Sequence, residues 1–231
     1  MNTDASRLKE QAAHKAAGLV RSGMVVGLGH GSTAAFAVRR IAELIRSGSL
    51  QNVRGIPCSR EVHRLATLLG IPLTNLNQNP VVDLTIDGAD EVDEELNLIK
   101  GGGGALLREK IVAQASLREV IVVDESKMSH TLGVKHAVPV EVAPFGWRPH
   151  VPFLEKLGAR VTVRRRGNGT IFRTDQNNIL LDADFGPIGN PSRLASDLKA
   201  RAGIVEHGLF LQLARDVIVA GAGGLRHLVR Q

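Results

Sequence analysis

Met24-Val25-Val26-Gly27-Leu28-Gly29-His30-Gly31-Ser32-Thr33 decides the fold. Residues 24–28 form a short apolar run, the mark of a strand buried on both faces. Gly29-His30-Gly31 breaks that run, and Ser32 can cap a helix over residues 33–46. The same alternation extends outward. Upstream, Asp4 or Ser6 can cap a helix to about Arg21, with Leu8, Ala12, Ala16 and Leu19 on one face. Gly23 ends it. Downstream, the pattern predicts strands over residues 53–56, 81–86 and 120–123, with a shorter one over 96–99. Helices fall over residues 60–69 and about 105–115. Strands separated by helices imply a parallel sheet covered on both faces. Ligands of such sheets bind beyond the carboxyl ends of the strands, so the loops after Leu28, Ile86, Ile99 and Val123 are the places to look.

The pattern changes after about Gly133. Pro139, Pro144, Pro149 and Pro152 cluster, and a helix is expected near residues 153–157. Strands follow at 160–163, 170–174 and 179–182, the last two flanking an Asp175-Gln176-Asn177-Asn178 turn. Pro191 can start a helix to about Ala202, and residues 217–220 read as a buried strand rejoining the first sheet. The expected architecture is α/β: a Rossmann-like, mostly parallel sheet flanked by helices, with a smaller α+β second domain. Residues 1–133 plus 206–231 make the catalytic domain, and 134–205 the small one, a lid or oligomerisation unit.

Composition narrows the function. Hydrophobic residues make up 43% of 231, which excludes a disordered chain. Aromatic residues are 3%, which speaks against the stacking platforms of single-strand binders. The net charge of +6 suits an anionic partner. Arg164-Arg165-Arg166 reads as a solvated strand end, not a nucleic-acid patch. One cysteine, Cys58, excludes an internal disulfide and a multi-cysteine zinc site, and fits a reducing cytoplasm. No apolar run reaches the ~18 residues of a membrane helix. Residues 1–10 are polar, without the apolar core of a signal peptide.

Four segments carry chemistry. Glycines at 27, 29 and 31, with the Ser32 and Thr33 hydroxyls at a helix start, can hold a phosphate, or form only a tight capped turn. No Gly-Lys-Ser/Thr follows, and Ser32 takes the place of a third dinucleotide-loop glycine. Asp87-Gly88-Ala89-Asp90-Glu91 puts three carboxylates at a strand end, suited to Mg²⁺ or to acid/base work. Lys100-Gly101-Gly102-Gly103-Gly104 brings backbone close to something, beside a point charge for an oxyanion. Arg108-Glu109-Lys110 lies on the next helix, with Leu106, Leu107, Ile111 and Val112 as its expected buried face. Alone, Glu109 reads as a solvated residue paired with Lys or Arg. The eight His residues are scattered, with no metal-ligand spacing. Together these groups suit metal-free proton transfer on a phosphorylated sugar. A Glu takes a proton next to a carbonyl, Lys and backbone N–H groups stabilise an enediolate, and an Asp moves the hydroxyl proton.

These segments resemble the type A ribose-5-phosphate isomerase family, in order and in spacing. The likeness lies in Gly27-Leu28-Gly29-His30-Gly31-Ser32-Thr33-Ala34, Thr85-Ile86-Asp87-Gly88-Ala89-Asp90-Glu91, Lys100 with its glycines and Ala105, and Arg108-Glu109-Lys110. Glu109 lies nine positions after Lys100, as in the family. Asp124-Glu125-Ser126-Lys127, Leu132-Gly133, Pro139-Val140-Glu141-Val142 and Gly208-Leu209-Phe210 continue it. The resemblance implies interconversion of D-ribose 5-phosphate and D-ribulose 5-phosphate through a cis-enediolate, without metal or other cofactor. It makes Glu109 the base between carbons 1 and 2. Asp87 and Asp90, with Gly88 and Ala89, would bind the sugar, one Asp assisting ring opening or hydroxyl proton movement. Lys100 and the N–H groups of Gly101, Gly102 and Gly103 would hold the enediolate. His30, Gly31, Ser32 and Thr33 form the phosphate side, with Lys127 and Lys9 as further basic contacts. His30 stands where the family usually has Thr, and Cys58 likewise. Cys58 reads as small, buried and inert. The resemblance further implies a cytoplasmic homodimer or homotetramer that binds neither nucleic acid nor membrane.

Two other readings compete. Another sugar-phosphate enzyme of this fold, such as a deaminase, would use a catalytic His near its carboxylates, and none lies between His63 and His130. A non-catalytic sugar-phosphate sensor would need a DNA-binding module, for which the helix starting near residue 5 leaves no room, and it could dispense with Glu109. His63, His130, His136 and His207 suggest no partners and read as structural.

Overall fold

The computed structural model describes residues 3–230, with side chains from Ser6 onward. In chain order its elements are α1 (Thr3–Ala17), β1 (Val25–Leu28), α2 (Ser32–Arg46), β2 (Arg54–Pro57), α3 (Arg60–Leu68), β3 (Leu84–Asp87), β4 (Glu91–Val92), β5 (Leu98–Ile99), α4 (Leu106–Gln114) and β6 (Glu119–Asp124). There follow β7 (Val138–Val142), α5 (His150–Lys156), β8 (Arg160–Val163), β9 (Ile179–Asp184), α6 (Pro191–Lys199), β10 (Ile204–His207), β11 (Leu209–Phe210), β12 (Asp216–Gly221) and β13 (Gly224–Val229). They fall into two compact units. The first takes in the described part of Met1–Ala89, Arg108–Lys127 and Gln212–Gln231; the second is Asp90–Leu107 and Met128–Leu211.

The first unit holds a six-stranded sheet in the order β13-β12-β6-β3-β1-β2. All its pairs are parallel except the β12–β13 hairpin. β1, β3 and β12 are buried at every position, as continuous apolar runs between helix layers should be. Ala12, Ala16, Val38, Ile41, Leu28, Ile86 and Val122 share one core cluster. Val25, Ile56, Cys58, Val82 and Val112 form another. Each fully buried Leu, Ile or Val in them contributes about 1.5–3 kcal/mol. The expected parallel, helix-flanked sheet is present.

Both sheets of the second unit are antiparallel. The unit contains a four-stranded sheet, β10-β7-β9-β8, and a three-stranded one, β11-β5-β4. Val140, Val142, Leu154, Ile179, Leu181 and Leu198 lie in its core. Proline had hidden β7. Pro139 pairs outward through its carbonyl, which accepts the Gly208 N–H at 2.7 Å, so its missing N–H costs little at a strand end.

Several expectations are corrected. α1 already includes residues 3 to 6, so neither Asp4 nor Ser6 precedes it; Asp4's side chain lies outside the described residues. α1 stops at Ala17, where Leu19 and Val20 bond three residues back and tighten the last turn. Ser32 is the first residue of α2, and Gly31 is the N-cap, without a side-chain cap bond. Residues 98–99 pair in the three-stranded sheet, so the loop after Ile99 does not leave the parallel sheet. Residues 170–174 make only isolated bridges, at Ile171 and Arg173. By packing, residues 90–107, 128–133 and 206–211 group with the second body, where β4, β5 and β11 form a sheet of their own. β13, exposed at nearly every position, carried no apolar signal to read.

Candidate active site

In the first unit the loop after β1 is held by the neighbouring strand. Gly29 N–H donates to the Ile86 carbonyl at 2.9 Å, and His30 N–H to Asp87 Oδ1 at 3.0 Å. A β-carbon at Gly29 would collide with Asp87 Cα and the Ile86 carbonyl, and one at Gly27 with Thr85. These two glycines therefore serve strand packing. Gly31 differs: its φ of 105° needs glycine, while a β-carbon would meet open space. Ala35 is the residue whose N–H bonds back to Gly31, so the N–H groups of Ser32, Thr33 and Ala34 lie at the positive end of α2. Lys9 Nζ donates to Ser32 Oγ at 3.3 Å. His30 Nδ1 lies 3.0 Å from Ser59 Oγ, which also accepts the Val62 N–H as the cap of α3.

Asp87 ends β3 and is fully buried. Its Oδ1 accepts from Gly88 N–H at 2.7 Å as well as from His30. Two backbone donors on one oxygen fix the carboxylate's direction. At the end of β6, Asp124 accepts from the Ser126 N–H and hydroxyl, closing the short 3-10 turn that carries Lys127, which is half-buried.

The second unit contains the tetraglycine loop. Asp90 Oδ2 accepts the Gly102 N–H at 2.7 Å, and a β-carbon on Gly102 would meet that carboxylate at 2.6 Å. Gly101 and Gly104 have φ of 106° and 84°, and Gly104 N–H closes the turn onto the Gly101 carbonyl. Lys100 is buried, its Nζ 5.4 Å from the centre of the Phe210 ring. Its N–H bonds the Gly208 carbonyl. Glu91 is structural: its carboxylate accepts the N–H groups of Gly133, Lys135 and His136 at 3.1–3.2 Å. Arg164 also belongs here, and its solvated reading is corrected. It pairs with Asp182 through two nitrogens and donates to the carbonyls of Gly101 and Gly102 at 2.7 and 3.0 Å. Arg165 and Arg166 are exposed as expected.

α4 departs from its expected face at Glu109, Lys110 and Ile111. Glu109 and Lys110 are 4% and 6% exposed, while Ile111 is 45% exposed. Leu106 and Val112 are buried as expected. The solvated reading of Glu109 is therefore overturned. Burying a carboxylate is costly, and the helix N-terminus offsets part of that cost in its first turn. Glu109 lies in that turn.

The remaining candidates sort simply. Cys58 is buried among apolar neighbours. His130 sits 2.6 Å from Glu94 at the surface, and His207 is buried, its Nδ1 accepting the Leu209 N–H. His63 lines a cavity of about 630 Å³ with Thr74, Asn75 and Arg108. Among the described residues no group of three or more His, Cys, Asp or Glu is placed to hold a metal. No described helix is long and apolar enough to cross a membrane. Ser59 and Arg164 are the residues that sequence reasoning missed. The capping pattern before α3 could have flagged Ser59; nothing local flags Arg164.

Comparison with known proteins agrees over nearly the whole chain. The family model described as "Ribose 5-phosphate isomerase A (phosphoriboisomerase A)" matches residues 54–224. Ribose-5-phosphate isomerase A of Chloroflexus aurantiacus is 56% identical over 99% of this chain and 96% of its own length. The solved ribose 5-phosphate isomerase from Plasmodium falciparum has a TM-score of 0.95 at 40% identity, covering 98% of this chain and 99% of that one. A D-ribose-5-phosphate isomerase solved in complex with phospho-erythronic acid has a TM-score of 0.95 at 35% identity, with full coverage of both chains.

Proposed function

The chain belongs to the ribose 5-phosphate isomerase A family, and on that premise we propose how its residues divide the work. The protein interconverts D-ribose 5-phosphate and D-ribulose 5-phosphate. The burial of Glu109, against the pattern of its own helix, carries the assignment of the base. Its carboxylate takes the proton from carbon 2 of the open-chain aldose. The electron pair moves into the carbon 1–carbon 2 bond, and the carbonyl oxygen becomes an enediolate oxygen. Glu109 then returns the proton to carbon 1, and oxygen 2 becomes the ketone. A positioned base of this kind contributes roughly 10²–10⁴-fold.

Lys100 and the N–H groups of Gly101, Gly102 and Gly103 stabilise the enediolate charge. Asp87 and Asp90, with Gly88 and Ala89, hold the sugar hydroxyls, and one Asp carries the hydroxyl proton or assists ring opening. The N–H and hydroxyl groups of Gly31, Ser32 and Thr33 at the start of α2 take the phosphate, aided by Lys9, Lys127 and His30. The buried carboxylate of Glu109 disfavours the sensor reading, which has no use for it. We infer a cytoplasmic enzyme, active as a homodimer or homotetramer, with residues 134–205 as the assembly domain and no metal or cofactor in the reaction.

The test is turnover of D-ribose 5-phosphate by purified protein, with and without EDTA, beside Glu109→Gln. Activity that resists EDTA and falls about 10²–10⁴-fold in the variant supports the reading. Activity abolished by EDTA would turn the carboxylates into metal ligands. A folded but inactive wild type would point to another sugar phosphate or to a sensor.

A further inference from the structure

Arg164 stands one residue beyond β8, and Asp182 of β9, the register partner of Thr162, lies diagonally across the antiparallel pair from it. The guanidinium is mostly covered, with 16% of its side chain exposed. Asp182 takes its Nε at 2.9 Å and also its Nη2, the fork geometry that fixes a guanidinium in direction. That leaves Nη1 aimed at the tetraglycine loop. It donates to the Gly101 carbonyl at 2.7 Å and to the Gly102 carbonyl at 3.0 Å.

A carbonyl and the N–H of the following residue share one peptide unit. The Gly101 carbonyl belongs with the Gly102 N–H, which donates to Asp90 at 2.7 Å. The Gly102 carbonyl belongs with the Gly103 N–H. A cation on each carbonyl draws electron density from the amide nitrogen, and the N–H becomes a better donor. One guanidinium thus polarises two consecutive peptides. The loop needs such a hold, because four glycines bring no side chains to fix their own orientation. A lysine cannot replace the contact fully: it lacks the fork that grips Asp182 while reaching two carbonyls.

We propose that Arg164, oriented by Asp182, is a positioning residue for the tetraglycine loop: it locks the Gly101 and Gly102 carbonyls, strengthening the Gly102 N–H that holds Asp90 and the Gly103 N–H offered to the enediolate. This rests on the isomerase reading for its catalytic consequence, but the link from guanidinium to amide stands independently. Arg164 acts only through the loop, so its loss falls on the charge-developing step more than on ground-state binding.

The test compares wild type with Arg164→Met, Arg164→Lys and Asp182→Asn. In the substrate-free protein, the Gly102 and Gly103 amide protons should move upfield in Arg164→Met and less so in the other two. In turnover of D-ribose 5-phosphate, kcat for Arg164→Met should fall about tenfold or more, short of the ~10²–10³-fold lost with a direct oxyanion donor. KM should stay within about threefold, while affinity for a four-carbon phosphorylated aldonate, whose planar carboxylate mimics the enediolate, should fall in step with kcat. Should Arg164→Met not fold, Asp182→Asn carries the same readouts with smaller shifts. A lower melting temperature with unchanged amide shifts and unchanged kcat would make Arg164 a structural ion pair and overturn the proposal. An inactive wild type would count against the isomerase reading alone, and the amide shifts would still decide the link.

Discussion

The loop after β1 and the tetraglycine loop are both glycine-rich, yet they are held by different means. Gly29 is gripped by β3, the adjoining strand, through the Ile86 carbonyl and close backbone packing. His30 is tied to Asp87 on the same strand. The tetraglycine loop has no strand against it at Gly102 or Gly103. It is held by the Asp90 carboxylate and by the Arg164–Asp182 ion pair. The first loop is a product of sheet packing, and changing it disturbs folding. The second is set by a few polar contacts, and changing it disturbs chemistry.

Alanine at one glycine in each loop separates the two cases. Gly29→Ala drives a methyl into backbone that cannot yield. It should destabilise the protein by about 3 kcal/mol or more, the upper end for overpacking, and lower the denaturation midpoint or prevent folding. Gly102→Ala puts its methyl against the end of the Asp90 side chain in an exposed loop, which can shift. It should leave the melting temperature nearly unchanged and reduce kcat about tenfold or more, through loss of one aligned donor. Melts and steady-state kinetics on both variants check this. The opposite pattern would erase the distinction between the loops.

Acid should also divide the two bodies. In the first, burial opposes ionisation of Asp216, but the hydrogen bonds from Arg118 and His227 outweigh it and hold the carboxyl below its ordinary range. Its stabilisation is present above the unfolded carboxyl value of about 3.9 and is lost as pH falls through the folded one. In the second, burial pushes Glu141 up despite its bonds from Asn178 and Thr174. Its contribution is full below about 4.3 and is lost as pH rises through the raised value. Amide exchange between pH 6 and 3 should show protection falling along β12 and holding or rising along β7. A parallel loss in both would contradict these assignments. The smallest effect belongs to Ser59→Ala, which removes the α3 cap and should cost about 1 kcal/mol in a denaturant melt. It also frees His30, so KM should rise modestly with kcat unchanged.

These contrasts explain what was legible in the sequence. The strand, turn and helix around Gly29 lie within about twenty contiguous residues, and local patterning reports such arrangements well. Asp87 and Lys100 can be picked out because their residue types sit at strand ends, whereas Glu109 emerges only from the grouping of the segments and the family resemblance, its own helix pattern reading it as solvated. Arg164 cannot be picked out, since its partners in the glycine loop lie 62 and 63 residues away. Glu91 looked like a third site carboxylate because its backbone donors lie 42 to 45 residues downstream. α4 was misread for another reason. Its apolar pattern predicts Ile111 inside, whereas the helix turns Glu109 and Lys110 inward at the expense of packing. Such a break between local pattern and structure is expected where function constrains a residue.

The central claim is that Glu109 moves the carbon-bound proton. Its most direct measurement is exchange in D₂O: D-ribulose 5-phosphate is incubated with wild type and with Glu109→Gln, and deuterium at carbon 1 is followed by NMR. Wild type should introduce deuterium during turnover. The variant, folded and still binding the sugar phosphate, should do so at least about 100-fold more slowly. Exchange at the wild-type rate in Glu109→Gln would show that another group takes the proton, and the assignment of the base would fall.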